Sequence, residues 1–143
     1  FVKAVGEGGF LEHASVHGHY YGTPKAPVMS QLKAGRDVIL EIDVQGAMQV
    51  KESYPDGVFI FILPPSVDAL RSRIMHRGTE SEEDIQVRLG AAQREMEYLE
   101  HYDYYVVNDD LEKAVDSVKK IMAAEHWKVT DAAGILKRIK GEE

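Results

Sequence analysis

Residues 58–63 read Val-Phe-Ile-Phe-Ile-Leu, six apolar side chains closed by Pro64-Pro65. A run so short and so uniformly apolar fits a parallel strand covered by helices on both faces, because a strand with one wet face would alternate with polar residues. A second segment, residues 37–43 (DVILEID), is apolar in its middle and acidic at its C-terminal end, and also reads as a strand. Residues 104–107 supply a third short strand.

Helical patterns separate these runs. Ser66 can cap a helix to about residue 76, and Ser81 opens the clearest one, with Ile85, Leu89, Ala92, Met96 and Leu99 at helical spacing. Glu82, Glu83 and Asp84 fill its first turn, where the helix dipole favours negative charge. The sequence Asn108-Asp109-Asp110 starts a last long helix with the stripe Leu111, Ala114, Val115, Val118, Ile121 and Met122, and the tail from Asp131 carries one or two further amphipathic turns. Near the start, aromatic and β-branched residues from 10 to 21 surround His17-Gly18, predicting a strand pair with a short loop. A helix capped by Thr23, with Pro24 at its first position, follows until Gly35. Alternating strands and helices predict an α/β, three-layer architecture with a mostly parallel sheet.

With 143 residues, 44% of them hydrophobic, the chain can form one core. Its formal charge of −7, from 17 Lys and Arg against 24 Asp and Glu, argues against a general binder of nucleic-acid backbones. No apolar run reaches the roughly 20 residues that span a bilayer. The absence of Cys excludes disulfides, thiolate nucleophiles and Cys-ligated zinc, and permits a cytoplasmic location. Six His residues lack the helical spacing of a zinc site. The opening Phe-Val-Lys has neither an initiator Met nor a signal-peptide pattern, so the expectation is the trimmed end of something longer.

Ligands of open parallel sheets collect at the carboxyl ends of strands, which singles out Glu41, Asp43, the Pro64-Pro65 corner and Asn108. Glu41 and Asp43 share a strand face, where they could hold a hydrated cation or accept from a base edge, or form no more than a solvated strand end. Arg71, Arg73, Arg77 and Arg88 concentrate cations in an acidic chain. Converging guanidiniums would neutralise a polyphosphate; equally, Glu80, Glu82, Glu83 and Asp84 could pair with them as a surface network.

Six motifs then occur in order: Phe10-Leu11-Glu12-His13-Ala14, Gly18-His19-Tyr20-Tyr21-Gly22-Thr23, Leu40-Glu41-Ile42-Asp43-Val44-Gln45-Gly46, Phe61-Ile62-Leu63-Pro64-Pro65-Ser66, Arg77-Gly78-Thr79-Glu80 and Val107-Asn108-Asp109-Asp110. Together they resemble a guanylate kinase to about Glu125. The resemblance implies a P-loop nucleoside-monophosphate kinase fold and magnesium-dependent transfer of the ATP γ-phosphoryl group to GMP, with ATP and Mg2+ required. It implies that Glu12 accepts from guanine N1 and the exocyclic amine, a donor pair that adenine lacks on that edge. Tyr21, together with Thr23, would donate hydroxyls to the GMP phosphate. Glu41, standing where many relatives carry Asp, and Asp43 would lie near the guanine and meet magnesium through water. Arg73, Arg77 and Arg88 would be the catalytic arginines of a lid over ATP, with Arg73 and Arg77 also binding ATP, and Asn108 would lie beside adenine.

The resemblance also carries a departure. The family's N-terminal strand and glycine-rich loop ending in Gly-Lys-Ser/Thr do not occur in these 143 residues, and Gly6-Glu7-Gly8-Gly9 lacks the Lys. The chain therefore reads as the C-terminal part of the domain, with its first, central strand missing from between 37–43 and 58–63, and is expected to be inactive alone. Residues 1–23 read as a remnant of the GMP-binding region, 24–128 as the α/β core with the ATP lid around 73–88, and 129–143 as a C-terminal helical tail. Expected partners are GMP and ATP, with no nucleic acid and no membrane; the two apolar strands are expected to pair with each other, self-associate, or recruit the absent N-terminal segment. A different reading is a non-catalytic guanylate-kinase-like module that binds acidic or phosphorylated peptides. Such a module would be expected to lose the lid arginines, whereas Arg73, Arg77 and Arg88 are present.

Overall fold

A computed structural model describes residues 1–75 and 81–142. Its elements are α1 (Val2–Gly6), β1 (Phe10–Val16), β2 (His19–Pro24), α2 (Lys25–Lys33), α3 (Val44–Ser53), β3 (Ile60–Leu63), α4 (Val67–Met75), α5 (Glu82–Met96), β4 (Tyr104–Val107), α6 (Leu111–Glu125) and α7 (Ala132–Ile139). The fold is α/β. It divides into two compact units, Phe1–Phe61 with Gly90–Tyr104, and Ile62–Leu89 with Tyr105–Glu143.

In the first unit, β1 and β2 form the expected antiparallel hairpin. Its two-residue turn needs left-handed backbone at both positions, and His17 (φ 51°) and Gly18 (φ 78°) provide it. Strand β2 continues through Thr23, so the helix begins later than expected, with Pro24 rather than Thr23 at its N-cap.

The hairpin packs on a core of Leu11, Ala47, Val50 and Phe59, against which Val28, Met29, Leu40, Ile42 and Tyr102 are partly buried. Burying each larger aliphatic or aromatic side chain of this set contributes about 1.5–3 kcal/mol. Half of the buried set comes from α3, a helix the sequence reading did not anticipate. Asp43 caps α3, Val44, Ala47 and Val50 form its buried stripe, and Pro55, which disfavours helical backbone at Tyr54, marks its end.

Residues 37–43 depart from expectation. Val38, Leu40 and Ile42 are half-buried while Ile39, Glu41 and Asp43 are exposed, which is the alternation of a strand. Yet no ladder forms: among the described residues, no backbone hydrogen bond ties 38–42 to another segment. Strand β3 pairs with β4 instead. The amides of Asp103 and Tyr104 donate to Phe59 O at 2.9 and 3.1 Å, and that of Asn108 donates to Leu63 O at 2.8 Å, partners that advance in the same chain direction as in a parallel pair. Of the three outcomes expected for these strands, direct pairing of 37–43 with 58–63 is therefore not what the chain adopts, and the mostly parallel sheet is reduced among the described residues to this two-stranded pair.

In the second unit the expected caps are present. Ser66 Oγ accepts from Ala69 N at 3.0 Å before α4, and Ser81 Oγ accepts from Asp84 N at 3.2 Å before α5. Asp110 caps α6 and Asp131 caps α7. Ile85, Leu89, Val106 and Ala114 are buried, whereas Leu111, expected on the apolar stripe of α6, is 70% exposed. Its place in the first turn, directly after the cap, leaves it beyond the helix's buried stretch.

Candidate functional site

A bulge in β1 decides where Glu12 stands. Phe10 pairs with Pro24 but Glu12 pairs with Thr23, so Leu11 is the extra residue. Leu11 turns into the core, and Glu12 comes opposite Thr23 rather than one position out of step. Residues opposite each other in an antiparallel pair share a face, which puts Glu12, Ala14, Tyr21 and Thr23 on the same side of the hairpin. On that face Thr23 Oγ1 donates to Glu12 Oε1 at 2.7 Å.

The second carboxylate oxygen has a different neighbour. Glu12 Oε2 lies 3.2 Å from the point a Cβ at Gly46 would occupy, and Asp43 Oδ1 is equally close to that point. Gly46 is thus the space that two carboxylates share. Asp43 Oδ1 accepts from Gly46 N at 2.8 Å as the N-cap of α3, and both acidic groups stand at the helix end whose dipole favours negative charge.

The expected residues therefore divide. Glu12 and Asp43 meet at Gly46, and Thr23 joins them through Glu12; the Thr23 hydroxyl is engaged with a carboxylate, not held out beside Tyr21. Tyr21 is 58% exposed on the shared face, and Glu41 is exposed two residues before Asp43. Two further residues of this neighbourhood, Gly46 and Tyr102, carry no assigned role at the site in the sequence reading, Gly46 standing there as part of a motif. Gly46 is legible only through the Asp-x-x-Gly spacing of an N-cap. Tyr102 stacks edge-on against Phe61 at 4.7 Å and Phe59 at 6.4 Å, and burial first, then the negative charges of Glu95 and Asp43, push its phenol pKa up.

In the second unit, Arg73 Nη2 donates to the Asn108 carbonyl at 2.8 Å, joining two of the residues expected at ATP. Arg71 takes the bland role, paired with Glu82, whose carboxyl is held below its usual range by hydrogen bonds from Gln86 and Arg71 and by the guanidinium charge. Arg88 is half-buried on α5, and Arg77 lies outside the described residues.

Glu41 and Asp43 offer two carboxylates, and no cluster of three or more His, Asp or Glu side chains suited to a metal stands among the described residues. That donor set suits a magnesium ion that keeps most of its water and takes its other oxygens from phosphate, not one caged by protein. Among the described residues, no helix is long and apolar enough to cross a membrane.

Comparison with known proteins gives a consistent result. A profile of the guanylate kinase family matches residues 1–125. A guanylate kinase of Caldanaerobacter subterraneus subsp. tengcongensis is 49% identical over 142 residues, covering 99% of this chain and 69% of that protein. One from Desulfitobacterium hafniense is 54% identical over 129 residues, covering 90% of this chain and 64% of the relative. The crystal structure of guanylate kinase from Anaplasma phagocytophilum superposes with a TM-score of 0.78 at 32% identity, across 99% of this chain and 69% of that one. The chain thus spans about two thirds of the length of the proteins it matches.

Proposed function

Since the chain belongs to the guanylate kinase family, we propose that it supplies the GMP-recognising and ATP-lid portions of a domain that transfers the ATP γ-phosphoryl group to GMP. The observation that carries this reading is the Glu12–Thr23 pair: a carboxylate held by a 2.7 Å hydrogen bond across the hairpin face. A carboxylate is acceptor-only, so it complements the adjacent N1–H and amino donors of guanine and meets an unprotonated ring nitrogen at the same place in adenine. Thr23 fixes the base-reading group, while Tyr21, on the same face, reaches the phosphate with its phenol.

At the other substrate, Arg73 and Asn108 form a tied pair, with Arg73 available to phosphate through its remaining donors and Asn108 beside adenine. Arg77 and Arg88 complete the positive charge over the transferring group, where guanidinium forks match phosphate oxygens in a bidentate way. Magnesium, when bound, neutralises phosphate charge; Glu41 and Asp43 would hold its water shell. The unladdered segment 37–43 is read as one wall of the family's parallel sheet, completed by a strand from outside these 143 residues, from the N-terminal part of the domain or from another copy.

The test joins these residues to the N-terminal third of the Caldanaerobacter relative and assays ADP formation with GMP, AMP and UMP as acceptors. Turnover confined to GMP is expected; turnover indifferent to the base, or phosphopeptide binding with no turnover, contradicts the proposal. The 143 residues alone, without a Gly-Lys-Ser/Thr loop, are expected to make no GDP.

A further inference from the structure

Gln49 lies on α3 one turn beyond Gly46, hence on the same helical face. Its side-chain amide makes two hydrogen bonds to one residue of β1: His13 N donates to Gln49 Oε1 at 3.0 Å, and Gln49 Nε2 donates to His13 O at 3.1 Å. In an antiparallel strand both main-chain groups of a residue point the same way, and those of neighbouring residues point oppositely. The His13 groups are thus turned to the free edge of β1, and Gln49 occupies that edge as a residue of an adjoining strand would.

We infer that Gln49 is a positioning residue for guanine recognition: by clamping the His13 peptide to α3, it sets the adjacent Glu12 carboxylate at the N-terminus of that helix. Three points on one body then fix Glu12. Thr23 holds Oε1 from the side, Gly46 leaves the space into which Oε2 fits, and Gln49 fixes the backbone from which the side chain departs. Only an amide can do this, because it presents a donor and an acceptor in one plane, matching a peptide's own pair. Leu keeps the bulk and removes both bonds; Glu keeps the acceptor for His13 N and loses the donor for His13 O.

The inference rests on the assignment of Glu12 to the guanine base, and two independent readouts separate them. In the 143-residue chain, amide exchange of His13 measured by NMR is expected to be slow in the native sequence, because Gln49 Oε1 accepts from that amide. It is expected to accelerate about tenfold or more in Gln49→Leu, less in Gln49→Glu, with the Glu12 and Thr23 side-chain resonances shifting in step. Titration with GMP, with AMP as control, is then expected to show about a tenfold weakening in Gln49→Leu but less than twofold when the same change is made on Glu12→Gln, since the clamp acts through that carboxylate. Unchanged His13 exchange, unchanged Glu12 resonances, or an equal GMP loss on both backgrounds overturns the positioning role. Absence of any GMP preference in the native chain overturns instead the assignment of Glu12, while the exchange arm still decides whether Gln49 sets its position.

Discussion

Thr23 and Glu12 face each other across the β1–β2 hairpin, and the threonine hydroxyl spends its proton on the carboxylate at 2.7 Å. The pair exists because a one-residue bulge at Leu11 brings Glu12 into register while sending Leu11 into the core. A single backbone irregularity thereby serves both packing and recognition.

Removing the donor should expose how far recognition depends on it. Thr23→Val keeps the β-branched shape and deletes the hydroxyl, so it should lower stability by about 0.5–1.5 kcal/mol in urea unfolding and weaken GMP binding, leaving ATP binding unaffected. GMP affinity equal to that of the native chain would separate Thr23 from the site.

Gly46→Ala tests the space between the two carboxylates. Alanine raises helix propensity by up to about 1 kcal/mol, while its Cβ, 3.2 Å from Glu12 Oε2 and Asp43 Oδ1, costs about 1–3 kcal/mol in displacement. Net stability should therefore change by less than about 2 kcal/mol, because a flexible side-chain end can move aside. The displaced group is the base-reading one, so GMP affinity should fall more than stability does. Equal affinity with a native melting temperature would show that Glu12 needs no such space.

Much of this was legible beforehand, and the misses share a cause. The hairpin turn, the serine caps of α4 and α5, strand β4 and helix α6 each follow from local signals, while Glu12, Thr23, Asp43 and Asn108 were singled out by the family motifs and Arg73 by the arginine cluster, and their roles at the substrates stand as proposals. Helix α3 was hidden because Gly46, Gln45 and Gln49 interrupt its hydrophobic pattern; only the Val44, Ala47, Val50 stripe betrays it. Residues 37–43, apolar in their middle, take up a strand's alternating burial, but a ladder is a relation between segments, and one segment cannot supply the other. The bulge and the Gln49 clamp are of the same kind, since register belongs to pairs.

The Arg71–Glu82 pair gives a pH-dependent prediction. Glu82 is held below its ordinary value of 4.5, so its contribution to stability is present above that pH and is lost as pH falls through the lowered folded value. Being fully exposed, the effect should be small and screened by salt. Melting temperatures of the native chain and Glu82→Gln should differ slightly at pH 7 and low salt, and converge at pH 3. A difference that persists undiminished at pH 3 would show that Glu82 acts by something other than its charge.

The account's central claim is that Glu12 reads guanine, and the Glu12→Gln substitution tests it most directly. In these residues joined to a complete N-terminal third, kcat/KM for GMP should be measured alongside KM for ATP. Exchanging one acceptor for a donor that faces the guanine donors leaves a polar mismatch of about 1–3 kcal/mol, roughly a 5- to 150-fold loss. The prediction is that loss for GMP with the ATP constant unchanged; an unchanged kcat/KM for GMP would contradict it.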